Sequence, residues 1–288
     1  MHDKSLKYAL VLPAAVVVFA TAIYPLLRSL WISFHEWRLN RSSDIGPFVG
    51  LENYQWAFED GDFYNALWVT INFTFWSVLL TVLLAMGMAL LLIKGGWFRT
   101  SVRVLLVLPF AMSPALVGVS WRFMFNPEFG LFDAMLGWLP GTEGTIWLAD
   151  PFWAMVVLIA SDVWNWAPFF CMMYIGGLGS IPVEAQEASR VDGASEWRVF
   201  FDVTLPLWMP VIMIGVILKT IFSLKMFDQV YMLTNGGPGN ATQTLAHFIY
   251  FNGFKYYDMG YASAVSYVLV IPMVVLAFIY VRMVFREV

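Results

Sequence analysis

The chain has 288 residues, 60% of them hydrophobic and 12% charged, with a formal net charge of −4. Soluble domains hold about 45–50% apolar residues, so this composition and a mean hydropathy of +0.71 exclude a soluble globular domain and indicate an integral membrane protein. The mildly acidic balance offers no basic face for nucleic acid, and the single cysteine, Cys171, excludes an internal disulfide and reads as core.

The first predicted element is the uncharged run from Tyr8 to Leu27, behind Lys4 and Lys7. It is long enough to cross a bilayer, which takes about 20 residues, and longer than the apolar region of a cleaved leader. An uncleaved first span is expected. The apolar segments in chain order are 8–32, 69–93, 101–124, 153–178, 204–231 and 261–284. They are too long and too continuously apolar for barrel strands, so six transmembrane helices follow, since lipid offers no partner for unpaired backbone groups. The fold class expected is an all-α membrane protein, with residues 1–288 forming a single transmembrane domain without internal repeats.

Orientation rests on the cations. The loop 94–103 carries Lys94, Arg99 and Arg103 with no acid, and Arg282 and Arg286 flank the end of the last span. The first and second outer loops hold Glu52, Glu59, Asp60, Asp62, Glu128, Glu143 and Asp150. The positive-inside rule then predicts that both termini and the loop 179–203 are cytoplasmic.

That loop is unusually polar for this chain. Pro182 suits a first helical turn, and VEAQEASRV is built of good helix formers. Glu184 and Glu187 lie in early turns, where the helix dipole favours anions. Gly193 can take φ > 0 and end the helix. Ser195 is placed to cap a second short helix, EWRVFFDV, and Pro206 begins or kinks the fifth span. An interfacial anchor and a docking surface both fit. The narrow stripe Ala185, Ala188, Val191 favours docking, because a protein can approach an alanine face closely.

Within the spans, Asp162 interrupts the fourth, which also carries Asn165 and Trp166, and Lys219 interrupts the fifth. Lys219, Ser223 and Met226 recur at i, i+4 and i+7 on one face of the fifth. Polar groups at membrane depth point to function. Trp166 with Asn165 offers the aromatic face and hydrogen-bonding group a sugar needs; packing or interfacial anchoring is the competing reading. Lys219 either meets an anionic group on a substrate or pairs with Asp162. NGGPGN (235–240) reads as a tight polar turn in which Gly236, Gly237 and Gly239 allow φ > 0. His2, His35 and His247 have no ligand spacing, so no metal site is expected. No nucleophile motif and no G-x4-G-K-[ST] phosphate loop occurs, so the chain is not expected to be an enzyme or its own motor.

Glu187, Ala188, Ser189, Gly193, Val203, Leu205 and Pro206 follow the spacing E-A-(A/S)-x3-G-x9-(I/V)-x-L-P. This resembles the EAA loop of bacterial ABC-importer permeases, and Asp192-Gly193-Ala194 is similar to that family's D-G-A. Segments 48–74, 98–131 and 233–264 resemble the carbohydrate-uptake branch, specifically the F-type subunit of the maltose transporter. The resemblance implies the type I importer architecture with a cytoplasmic coupling helix. It implies that Glu184, Glu187, Ala188, Ser189, Asp192, Gly193 and Ala194 meet an ATPase subunit. It implies that Asn165, Trp166, Lys219, Ser223 and Met226, with Phe110 and Pro114 from the third span, line the substrate path. The maltose-type subunit has amides where this chain has Ser223 and Met226, which argues against maltose itself.

The partners implied are a second, G-type permease subunit, two ATP-binding subunits that hold ATP and magnesium, and a periplasmic or lipid-anchored solute-binding protein. This chain then needs no cofactor and sits in a bacterial inner membrane. The expected function is import of a sugar or sugar derivative, with an anionic one in view because of Lys219. The alternatives are a polyol or glycerol-phosphate-type solute within the same class, or an ion-coupled secondary transporter, which would want paired carboxylates and broken helices in corresponding halves.

Overall fold

The computed structural model describes residues 2–137 and 144–284. Glu143 and Arg286, used above for orientation, lie outside the described residues. Among those described, the chain is helical apart from the isolated bridges His35–Phe48 and Arg38–Asp258. Five helices are long and apolar enough to cross a membrane, and six when one sharply bent pair counts as a span. The chain divides into two compact units, residues 1–64 with 248–271, and residues 65–247 with 272–288.

In chain order, α1 (His2–Val18) passes through a π-helical stretch, Phe19–Ile23, into α2 (Tyr24–Ser33). Pro25 has no N–H for the Thr21 carbonyl, and its ring crowds that carbonyl, so the preceding turn widens. The apolar stretch of this first span buries none of its surface. A short α3 (Glu52–Glu59) follows. Its buried Asn53 amide donates to the carbonyls of Ser33 (2.9 Å) and His35 (3.0 Å), satisfying the end of α2. Arg38 pairs with Asp258 at 3.0 Å in the same unit.

Helix α4 (Gly61–Leu92) has 32 residues, about 48 Å at 1.5 Å per residue, well beyond a hydrocarbon core of about 30 Å. Arg103 donates to the carbonyls of Leu92 and Ile93 and so caps its C-terminus. The expected third span is not one straight helix. It is α5 (Trp97–Ala111) and α6 (Pro114–Met124), bent by 95°. Pro114 disfavours helical backbone at Ser113, which is extended (ψ 145°) and accepts the Leu116 N–H as an N-cap.

After α7 (Leu131–Leu136), α8 (Pro151–Gly179) starts at Asp150, which accepts the Trp153 N–H at 3.0 Å. Helix α9 (Val183–Val191) is the predicted short loop helix. The predicted second short helix is not separate. α10 (Glu196–Arg198) runs through a π-helical stretch, Val199–Thr204, into α11 (Leu205–Leu224). Pro206 lacks the N–H owed to the Asp202 carbonyl, and the helix widens ahead of it rather than breaking. The fifth span also ends earlier than expected, at Leu224; residues 225–227 break it before α12 (Asp228–Leu233). The chain closes with α13 (Leu245–Tyr250), a π-helical stretch Phe251–Lys255, and α14 (Met259–Val284).

The larger unit has two apolar clusters. One gathers Val69 and Phe73 of α4, Leu158 and Val163 of α8, and Met226, Val230 and Leu233. The other gathers Val82, Ala85 and Ala89 of α4, Phe170, Cys171 and Tyr174 of α8, and Trp208 and Ile212 of α11. Between the two clusters, α4 buries Thr74, Ser77 and Thr81, and α11 buries Lys219 and Ser223. Helix α6 lies against α12 at Gly118, where a Cβ would come within 2.9 Å of the Met232 Cβ and 3.2 Å of the Gln229 backbone.

Candidate functional site

The polar residues between the clusters form one seam. Lys219 Nζ lies 2.6 Å from Asp162 Oδ2, and both side chains are fully buried. The Ser77 hydroxyl donates to the same carboxylate oxygen and lies 3.3 Å from the Ser223 hydroxyl. Helices α4, α8 and α11 are thus tied at one level by charge-assisted hydrogen bonds, the strong class. Of the two readings open for Lys219, the pair with Asp162 is the one realised, so its charge is neutralised within the chain. Asp162 Oδ1 has no hydrogen-bond partner among the described residues.

The other sequence-predicted path residues fall into two sets. Asn165, Ser223 and Met226 are buried. Asn165 Nδ2 donates to the Pro109 carbonyl at 2.6 Å, so its amide braces the last turn of α5 beside the bend. Phe110, Pro114 and Trp166 retain exposure. Trp166 stacks on Phe222 (4.6 Å, 20°) and meets Phe110 edge-on (5.5 Å). Phe110 in turn stacks on Phe169 at 4.8 Å. Lys219 Nζ lies 5.5 Å from the Trp166 ring centre, within cation–π range. A partly exposed aromatic surface therefore sits at the α5/α6 bend, backed by the buried ion pair.

Sequence reasoning missed Ser77 and the bracing role of Asn165. A signal existed: Thr70, Thr74, Ser77 and Thr81 recur on one face of α4, and small polar residues on one face mark helix contacts in membranes.

The second candidate region is the loop after α8. The Asp192 N–H bonds to the Ala188 carbonyl, Gly193 N–H to Arg190, and Ala194 N–H to Ser189, each at 3.0 Å. The last two are the paired bonds of a Schellman C-cap, which needs a left-handed residue at the corner. Gly193 supplies it with φ 83°. Glu184, Glu187, Ala188 and Asp192 are exposed; Ser189 and Ala194 are half-buried. Ser195 takes the extended N-cap backbone, but its side chain makes no capping bond. Instead Arg190 reaches across the turn to Glu196, at 2.7 and 3.2 Å. The NGGPGN turn differs in detail from expectation. Asn235, Gly236, Gly239 and Asn240 have positive φ, and Gly237 does not.

Residues 77–288 match the family described as the inner membrane component of binding-protein-dependent transport systems. The chain belongs to that family. Over 284 residues it is 34% identical to the sulfoquinovosyl glycerol transport system permease protein SmoG of Agrobacterium fabrum, covering 99% of this chain and 92% of that one. It is 35% identical over 270 residues to the trehalose/maltose transport system permease protein MalF of Thermococcus litoralis, covering 92% and 88%. One chain of a bacterial alginate ABC transporter, solved with a periplasmic protein bound to an alginate pentasaccharide, superposes with a TM-score of 0.82. That match covers 99% of this chain and 96% of the other, at 22% identity. The fold is therefore that of a type I ABC-importer permease, and the chain is a multi-pass membrane permease.

Proposed function

We propose that this permease carries a sugar or sugar derivative across a bacterial inner membrane, powered by ATP hydrolysis in separate subunits. A solute-binding protein delivers the substrate to the outer face. A second, G-type permease subunit completes the path, and two ATP-binding subunits hold ATP and magnesium. Both termini face the cytoplasm, in line with the cations of the loop 94–103. The loop carrying Glu184, Glu187, Ala188, Ser189, Asp192, Gly193 and Ala194 seats in the ATPase. Its rigid Schellman corner and exposed acids support that reading, because a docking element must keep its shape while loads pass through it.

The observation that carries the substrate class is the half-exposed cluster Phe110–Trp166–Phe169–Phe222. Apolar ring faces accept the C–H face of a pyranose, and sites for small solutes are mostly apolar with a few polar groups. Pro114 sets the bend that presents the cluster. Asn165, Lys219, Ser223 and Met226 lie behind it, so their role is to hold its shape. Alternating access then consists of α8 and α11 moving as one body with α4, joined through the buried seam.

The test is uptake into proteoliposomes holding the whole assembly. Sugar accumulation is expected with ATP inside and all ion gradients collapsed. Accumulation driven by an ion gradient, without the ATPase, contradicts the proposal and favours a secondary transporter.

A further inference from the structure

Lys219 is paired with Asp162 out of contact with solvent, so its charge is already matched within the chain. A second lysine stands six residues further on. Lys225 occupies the break between α11 and α12, is exposed, and makes no ion pair among the described residues. Its Nζ folds back over the Phe222 ring at 5.1 Å. Phe222 stacks on Trp166, and Trp166 meets Phe110. The aromatic surface is thus flanked by two lysines, one cancelled and one free. Asp228, the first residue of α12, is exposed but does not pair with Lys225.

We propose that Lys225 is a specificity-determining residue that binds the anionic group of an acidic sugar, a carboxylate, sulfonate or phosphate, while the sugar ring packs beside the stacked Trp166–Phe222 pair. This rests on the carbohydrate reading above. An ammonium offers three donors and no acceptor, and its bonds to an oxyanion are charge-assisted. Two structural uses compete: complementing the C-terminal dipole of α11, or reaching a lipid phosphate at the interface. Neither depends on the charge of the transported solute, so substrate charge separates them.

The experiment is uptake by the complete assembly in proteoliposomes, comparing a uronate disaccharide, a 6-sulfonated glycoside and a 6-phosphorylated glucoside with neutral trehalose. Wild type, Lys225→Met and Lys225→Arg are measured, with assembly checked by size exclusion. The proposal expects acidic probes to be preferred, with Lys225→Met lowering the acidic-to-neutral ratio of kcat/KM about tenfold or more, the weight of a bond to a charged group. Lys225→Arg should keep most of that ratio. Equal loss for acidic and neutral probes overturns the proposal and makes Lys225 a structural or lipid-facing cation. Uptake of trehalose alone by wild type also overturns it but leaves the carbohydrate reading standing. Uptake of no sugar of either kind overturns both.

Discussion

Two ion pairs of nearly equal length sit in opposite surroundings. Asp162–Lys219 spans 2.6 Å with both side chains at 0% exposure, whereas Arg190–Glu196 spans 2.7 Å at 42% and 76% exposure. The first ties two membrane helices and has lost all hydration. The second bridges the corner of a polar loop and keeps most of its water. Distance therefore says little about what each pair does. Burial fixes the charges of the seam to one another, and hydration leaves those of the loop available to a soluble partner. In this chain the interior charges act as structure and the exterior ones remain open to recognition.

The largest effect expected comes from breaking the buried pair. Lys219→Met leaves a desolvated carboxylate and should cost about 3–5 kcal/mol, read as a steep fall in Tm of the purified chain in detergent. The double variant Asp162→Leu/Lys219→Met should recover most of that loss, because apolar replacement of both partners is often neutral. If the single variant melts like wild type, the seam does not hold the helices together. At the loop corner, a Cβ added at Gly193 meets no neighbouring atom within 4 Å, so the main penalty of Gly193→Val is the left-handed backbone. That strain amounts to about 1–2 kcal/mol, confined to the loop. The spans should insert and melt normally while ATP hydrolysis loses its coupling to uptake.

Burial also governs His247, a buried residue of α13, whose pKa is pushed down to about 4 by loss of solvent. Its folded pKa lies below the ordinary 6.5, so the neutral form belongs to the native state. Its contribution to stability is full above pH 6.5 and declines as pH falls toward 4. Tm should drop across that window, and the slope should be shallower in His247→Gln. The smallest effect is expected at the exposed pair. Arg190→Gln should leave Tm unchanged, since exposed pairs contribute little. A shift as large as that of Lys219→Met would remove the contrast between the two regions.

The spans were legible because continuous apolar runs leave the backbone no alternative to helix in lipid. The α5/α6 bend was less so, because hydropathy is blind to direction. Yet Pro109 and Pro114, with Ser113 between them, spell a helix end and a new N-cap inside one apolar run. The widened turns ahead of Pro25 and Pro206 belong to the same chemistry; Pro206 was read as a beginning or a kink, and the helix passed through it. Gly193 was legible in full, since a left-handed corner demands that residue. The partner of Lys219 could not be chosen from sequence, because the 57-residue separation from Asp162 is closed only by tertiary packing. Lys225 was passed over because it lies near a span end, where a lysine draws no attention until the helix is seen to break there.

The central claim is that this permease couples ATP hydrolysis elsewhere to solute movement through its α9 loop. The most direct test is substrate-stimulated ATPase activity of the complete reconstituted assembly carrying Glu187→Lys, an exposed position whose reversal leaves the buried seam untouched. Loss of the stimulation and of uptake together, with assembly and Tm of the permease unchanged, is the predicted result. Stimulation and uptake at wild-type levels would contradict it.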